Sequence, residues 1–451
     1  MQERNDAARG SLLRVLGYGF GIAVVVGSTI GSGILEAPGT LARELGSVWW
    51  SLGVWVTISA YALLGTMLMA ELAVQMPQAG AWSVYARRAF GDPTGFAIGW
   101  TNWMLLAGTA SSLAAFIAKL VGQLDPTLAS PAARTGIAVA TLVGFTVLHW
   151  TGTRSGSMVQ IITSVIKAAA FVVLIAACFI VGGDGANSFD APTAANAPAD
   201  VAGMILPLVA ALQIVIFAFD GWYGAIYFAE EDRDPAANMP RSMIDGTWAI
   251  IAIYLLVVLA IFWVLPLEEI GAAGIAAAAA ADRVFGGGGT VILLISLIAV
   301  PSVLNATLLQ MMRVLYSLGR DRMFLPVAAK VNAVGTPWVA MLFGNVAAIA
   351  MVLLWDGLFK DLYAITSYFM VTIYLSGFLA FWWLRQREPA AARHYRAPGH
   401  PWSTLFVIVV SLAFLIAALY SDTKNVAWAL VLLIAAYPVY YALRALGMKP
   451  A

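Results

Sequence analysis

Apolar runs long enough to cross a lipid bilayer follow one another along almost the whole chain, and they limit what it can fold into. A hydrocarbon core about 30 Å thick takes roughly 20 helical residues. Runs of that order lie at 12–41, 47–75, 94–122, 132–150, 156–182, 203–230, 243–265, 288–318, 337–355, 359–384, 403–420 and 425–446. Backbone in lipid has no water to bond, so each run must satisfy its N–H and C=O groups internally, as a helix does. The expectation is an all-α integral membrane protein with twelve transmembrane helices. Composition agrees, since 61% of the 451 residues are hydrophobic and 11% charged, against roughly 25% charged in a soluble domain. A net charge of +1, scattered over loops, gives no electrostatic footing for nucleic acid. The one cysteine, Cys178, lies in an apolar run and forms no internal disulfide. The first run follows a short basic segment, as a signal peptide would. Its length, its polar glycine-rich centre and the lack of a small-residue cleavage site read instead as a retained first span.

Twelve spans put both termini on one side, and Lys and Arg choose the side. With the N-terminus cytoplasmic, the inner segments hold eighteen basic residues: Arg4, Arg9, Arg14, Arg87, Arg88, Arg154, Arg233, Arg241, Arg313, Arg320, Arg322, Lys330, Arg385, Arg387, Arg393, Arg396, Arg444 and Lys449. The outer segments hold six: Arg43, Lys119, Arg134, Arg283, Lys360 and Lys424. Both termini are therefore expected in the cytoplasm, in a multi-pass cell (inner) membrane protein. Two outer stretches read as spacers: 183–202, without Lys or Arg, and 268–287, an alanine-rich short helix ending in a glycine hinge.

Two spans carry breaks. The first contains Gly27-Ser28-Thr29-Ile30-Gly31-Ser32-Gly33-Ile34, with three glycines and three hydroxyls between Gly27 and Gly33. Each Gly costs about 1 kcal/mol relative to Ala in a helix. Close packing through a small-residue seam is the competing account. An opened helix would free N–H groups at the start of its outer half, where the positive helix end suits a carboxylate. The sixth span contains Phe217-Ala218-Phe219-Asp220-Gly221-Trp222-Tyr223. An aspartate at that depth costs roughly 2.5–3.5 kcal/mol on insertion scales. It is either a substrate ligand or a carboxylate satisfied by a neighbouring helix, while carbonyls freed beside Gly221 suit an ammonium group. Breaks five spans apart are the pattern of two inverted five-helix repeats with a site at midplane. A free amino acid carries both groups that the two breaks would take.

Lys167 lies about twelve residues into the fifth span. Snorkelling to the interface is the plain reading of such a lysine, but its depth favours a role in place of a bound cation or in proton exchange. Glu36 is placed at the mouth of the first break, and Glu71 is expected to pair with an arginine of the inner loops. The remaining Trp and Tyr residues read as interfacial anchors.

Gly31-Ser32-Gly33-Ile34 with Pro38-Gly39, and Glu71-Leu72 with Pro77, Gly80 and Tyr85, are motifs through which the chain resembles, over nearly its whole length, the amino acid–polyamine–organocation superfamily. Phe217 to Trp222 with Glu230-Glu231, Asp234-Pro235 and Asn238-Met239-Pro240 is similar to the L-type amino acid transporter branch and its bacterial relatives. Asn305 to Arg313, Tyr316, Gly319-Arg320-Asp321 and Thr336-Pro337 fit as well. The resemblance implies a leucine-transporter type 5+5 inverted repeat with broken helices one and six: 1–182 as the first repeat, 203–384 as the second, and 403–446 as two further helices. It implies sodium-independent transport by alternating access, with Lys167 in the place of a sodium ion and Ser302 and Asn305 facing it. The carboxylate turn maps onto Ser28, Thr29, Ser32, Gly33 and Ile34. The amino-group acceptors map onto Phe217, Ala218 and Phe219, with Phe217 as gate. Two positions depart from the family. Glu36 stands where similar bacterial permeases carry a basic residue, and Asp220 is acidic where some large-neutral carriers are small.

The function expected is a uniporter or exchanger for small or medium neutral amino acids, without cofactor or metal. Its partners are the amino acid and the bilayer, and Cys178 is not placed to hold a disulfide-linked accessory subunit. Proton symport through Lys167 and cationic amino acid transport through Asp220 are the alternative transport readings. A channel lacks a continuous polar lining, and an amino acid sensor lacks a soluble signalling domain. His149, His394 and His400 have neither metal-ligand spacing nor a nucleophile partner for an enzyme.

Overall fold

A computed structural model of the protein describes residues 12–182, 185, 187–193, 201–354, 359–421, 423–446 and 448. Arg4, Arg9, Lys449, the side chain of Lys360 and part of the 183–202 spacer lie outside the described residues.

Among the described residues every regular element is helical. The first span is a pair, α1 (Tyr18–Thr29) and α2 (Gly33–Leu45), bent by 43° at the break. Span two is α3 (Val48–Gln75), followed by α4 (Trp82–Phe90). Spans three, four and five are α5 (Asp92–Leu124), α6 (Pro131–Trp150) and α7 (Thr153–Val181). Span six is α8 (Val201–Ala218), a turn, and a 3-10 segment Gly224–Glu231. Then come α9 (Pro235–Val264), α10 (Leu267–Ala272), α11 (Ala276–Phe285), α12 (Gly288–Arg320), α13 (Trp338–Leu354), α14 (Phe359–Arg387), α15 (Trp402–Ser421) and α16 (Thr423–Ala445). Among the described residues eight of these helices are long and apolar enough to cross a membrane, and the bent α1–α2 pair passes the same test as a ninth. Helices α8 and α13 are shorter apolar helices.

Helix ends follow local chemistry more than hydropathy. Asp234 caps α9 by accepting from Ala237 N, and Pro235 occupies the first turn, where its missing N–H costs nothing. This helix therefore starts eight residues before the apolar run that marks it. The first run begins later than hydropathy suggests. Leu12 to Gly17 is not helical; Leu16 N donates to Glu231 O at 3.0 Å, and Arg233 N donates to Leu16 O at 3.1 Å. The expected loop after span two contains α4, anchored by its buried Trp82 and Tyr85. The expected single helix in 268–287 is two, α10 and α11.

The broken spans lie at the centre. Helix α1 packs on α7, α9 and the 3-10 segment, while α2 packs on α8, α10 and α11. Helix α5 lies along α12 and also meets α6, α13, α14 and α16. One end of this bundle is tied by ion pairs. Arg385 approaches Glu71 at 2.5 Å and Arg393 at 3.0 Å, so the expected partner of Glu71 is an arginine pair around the end of α14. Arg87 bridges Asp92 and Asp321, and Arg88 meets Glu388. Arg320 joins Glu230, whose carboxylate also accepts from Ala79 N. Arg313 is paired with Glu231, both fully buried, and its guanidinium stacks 4.2 Å from the Phe228 ring centroid.

Candidate functional site

The end of α1 leaves carbonyls without helical partners, as every helix C-terminus does. Lys167 meets them. From α7, fully buried, its Nζ donates to Gly27 O at 2.9 Å and Ile30 O at 2.6 Å. A cation at the negative end of a helix is the favourable sense of that interaction. The amine therefore does not snorkel; it sits behind the first break. Tyr254 of α9 meets a third carbonyl. Its buried hydroxyl lies 2.9 Å from Thr29 O and 2.8 Å from Ala218 O, so one proton is shared between the ends of α1 and α8.

Both breaks are packed against each other at backbone distance. Gly221 has φ +110°, a region that side chains avoid, and a Cβ there would come 2.7 Å from Ser28 C. A Cβ on Gly33 would come 3.0 Å from Ala218 Cα. Helix α2 starts at Gly33, so the N–H groups of Gly33 and Ile34 lie outside the i→i−4 ladder. Those donors stand beside the last carbonyls of α8, and the two signs of charge needed for an amino acid head group adjoin.

Two of the expected carboxylate ligands are turned away. Thr29 Oγ1 donates to Val25 O at 2.8 Å and Ser28 Oγ to Val24 O, so both hydroxyls bond their own helix. Ser28 Oγ also accepts from Gln310 Nε2 at 3.1 Å. Ser32 lines a cavity of about 430 Å³ that opens beside α11. In the sixth span Phe217 O accepts from Asp220 N at 3.0 Å and is half-buried at its side chain. Phe219 is buried on Trp55 and Tyr254. Asp220 Oδ1 accepts from Tyr223 at 2.9 Å and from the Tyr374 hydroxyl, within an aromatic cluster that includes Trp82 and Trp222. The aspartate is therefore satisfied by neighbouring hydroxyls.

Ser302 and Asn305 of α12 do reach α7 but meet other groups than the Lys167 amine. Thr163 Oγ1 donates to Ser302 Oγ at 3.0 Å, and Asn305 Nδ2 donates to Gln160 Oε1 at 2.7 Å. Asn305 Oδ1 lies 2.8 Å from His149 Nε2. Ser164 Oγ donates to Ala23 O at 2.7 Å. Gln160, Ser164 and Lys167 thus form one polar stripe on α7 along α1, and the sequence reading took only its lysine. The stripe was visible in the spacing, since positions four and three apart share a helix face.

An amino acid permease family model matches residues 21–440. The chain belongs to the amino acid permease family. The serine/threonine exchanger SteT of Bacillus subtilis (strain 168) is 28% identical over 442 residues, covering 96% of this chain and 97% of that protein. The b(0,+)-type amino acid transporter 1 of Mus musculus is 24% identical over 425 residues, covering 91% and 84%. The Asc-type amino acid transporter 1 of Mus musculus is 26% identical over 269 residues, covering 58% and 50%. This permease is thus a multi-pass membrane protein of amino acid transport, and its polar centre lies where its helices are interrupted. Among the described residues no cluster of His, Cys, Asp or Glu could hold a metal ion.

A first expected result concerns the shared hydroxyl. Tyr254→Phe keeps the ring contacts with Trp55 and Phe219 but leaves Thr29 O and Ala218 O without their donor. An unsatisfied buried acceptor costs about 1–3 kcal/mol. The purified permease variant should melt at a lower temperature in detergent and take up substrate more slowly. An unchanged melting temperature would show that water replaces the hydroxyl.

Proposed function

We propose that this permease is a sodium-independent amino acid exchanger or uniporter for small or medium neutral amino acids, working by alternating access. The observation that carries the reading is the Lys167 amine on Gly27 O and Ile30 O. A fixed ammonium already neutralises the carbonyls that a bound sodium ion would otherwise join, so no sodium is needed to hold the break. The carboxylate of the substrate would take the α2 N–H groups near Ser32, Gly33 and Ile34. Its ammonium would take second lone pairs on carbonyls of Phe217, Ala218 and Phe219, with Phe217 closing the site. The name of the Bacillus relative, a serine/threonine exchanger, supports exchange and small side chains.

Asp220 is proposed as a positioning group, since two tyrosine hydroxyls already occupy Oδ1. Cationic substrates are therefore disfavoured. Ser302 and Asn305 would hold α12 to α7 beside the lysine.

Twelve spans in two five-span repeats plus a final pair accommodate the packing, with 1–182, 203–384 and 403–446 as their limits. Span one packs on seven as six packs on two, and three packs on four and ten as eight packs on nine and five. Exchanging each span of these pairs for the one five places away within the first ten gives another observed pair, which supports an inverted repeat. With the termini cytoplasmic, the ion-paired end is the inner one, and the cavity at Ser32 faces out. Cys178 is buried in α7, so a disulfide-linked subunit has no anchor on this chain.

Counterflow in proteoliposomes tests the function. Labelled serine, alanine, leucine and arginine are loaded against unlabelled amino acid, with and without sodium and at several pH values. Sodium-independent accumulation of the neutral substrates without proton current is expected. A proton current would move the assignment to symport through Lys167. Asp220→Ala should reduce uptake of every substrate alike; arginine uptake lost selectively would make Asp220 a ligand.

A further inference from the structure

The function proposed above uses the break but not the cavity that leads to it. That cavity, about 430 Å³, is lined by Ser32, Leu35 and Glu36 of α2, by Phe116, Lys119, Leu120 and others of α5, and by residues of α11 and α12. It carries two charged side chains of opposite sign, Glu36 and Lys119, both exposed. No ion pair within 4.0 Å joins them to each other or to another described residue. The Lys119 ammonium stands 5.9 Å from the Phe116 ring centroid, at the outer limit of a cation–π contact, so its donors remain available. Glu36 is four residues beyond Ser32 on the same helix, about 6 Å along its axis. Ser32 is itself in the cavity wall, so the space is continuous from the charged pair to the break.

We propose that Glu36 and Lys119 form an entry subsite that receives the zwitterionic head of a free amino acid, ammonium to Glu36 and carboxylate to Lys119, before it moves one helical turn to the break. The inference rests on the transport reading. A single charge at a cavity mouth concentrates ions of the opposite sign, whereas two separated opposite charges favour a molecule that carries both. A net cation meets Lys119 as a like charge, and a net anion meets Glu36.

The experiment uses the full chain in proteoliposomes. Uptake of labelled L-serine, L-alanine or L-leucine, whichever enters fastest, is competed with L-aspartate and L-arginine. Glu36→Gln should strengthen competition by aspartate about threefold, and Lys119→Gln should strengthen competition by arginine to a similar degree, the size of one exposed charge interaction. The reversed pair, Glu36→Lys with Lys119→Glu, should return both competitors toward their native weakness. Elution of each variant as a single folded species is checked first, and Glu36→Asp and Lys119→Arg should keep the native pattern. If uptake persists and both single variants leave the two competitors unchanged, or shift them in the same direction, the subsite is overturned while transport stands. If the native chain takes up none of the labelled amino acids, the transport reading falls and the subsite with it.

Discussion

Lys167→Met is expected to give a folded protein whose uptake is about a hundredfold slower than that of the native chain, or about 2.7 kcal/mol in transition-state terms. The methionine keeps most of the stem that fills the gap between α7 and α1, so packing is largely preserved. What disappears is the ammonium at 2.9 Å from Gly27 O and 2.6 Å from Ile30 O. Hydrogen bonds to a charged group contribute about 1.5–3 kcal/mol each. Removing the amine also removes the cost of burying it, so the two terms offset in overall stability. They do not offset in the shape of the break, because the desolvation cost is not tied to any one geometry and the two bonds are. The carbonyls would then point at methionine carbons, and the end of α1 would reorient to find donors. Counterflow and size-exclusion elution of the same preparation separate the two effects. A well-folded Lys167→Met protein transporting within about threefold of native would mean that the amine only fills space.

The position of that lysine was legible because an ionisable residue in an apolar run is conspicuous by itself. The first break was legible for the same reason, as a cluster of glycines where a helix should be uninterrupted. Pairings between distant positions were not. Arg313 reads as one more basic residue of an inner segment, yet it is fully buried on Glu231, 82 residues away in the chain. Tyr254 reads as an interfacial anchor, because a tyrosine in an apolar run gives no sign of what its hydroxyl meets. Here it meets the ends of two broken helices. The sequence shows that Asp220 is costly to bury and leaves it two roles, substrate ligand or carboxylate satisfied by a neighbouring helix. The residue that bonds it here, Tyr374, is 154 positions away on α14. Ser28 and Thr29 show a different limit. A hydroxyl in the last turn of a helix can bond back to a carbonyl of its own helix instead of facing a ligand, and both bond back here. Residue type thus marked where the helices break, while which atoms remain available depended on contacts between spans.

Gly221→Ala is expected to abolish uptake and lower the melting temperature by several degrees, whereas Gly31→Ala in the neighbouring motif should be close to native in both. The two substitutions add the same methyl group. At Gly31 the nearest heavy atom outside the local chain would be Val303 Cγ2 at 3.6 Å, an ordinary contact. At Gly221 the methyl group would stand 2.7 Å from both Ser28 C and Ser28 Cβ and 2.8 Å from Ser28 O, with the backbone at φ +110°. Backbone strain of that kind costs about 1–3 kcal/mol, and forced overpacking about 1–3 kcal/mol more. Gly33→Ala should fall between, because its methyl group would meet Ala218 Cα at 3.0 Å without an adverse φ. The order Gly221, Gly33, Gly31 is specific to the interlock of the breaks. If the glycines acted only as flexible points in their own helices, helix propensity would make every alanine neutral or stabilising. Melting temperatures of the three purified variants distinguish the two accounts. Should Gly221→Ala melt at or above the native temperature, the contact between the break of span six and the end of α1 is not what holds the centre together. A loss graded in the stated order would mean that each broken helix is kept open by the backbone of the other, so that moving one during transport must move both.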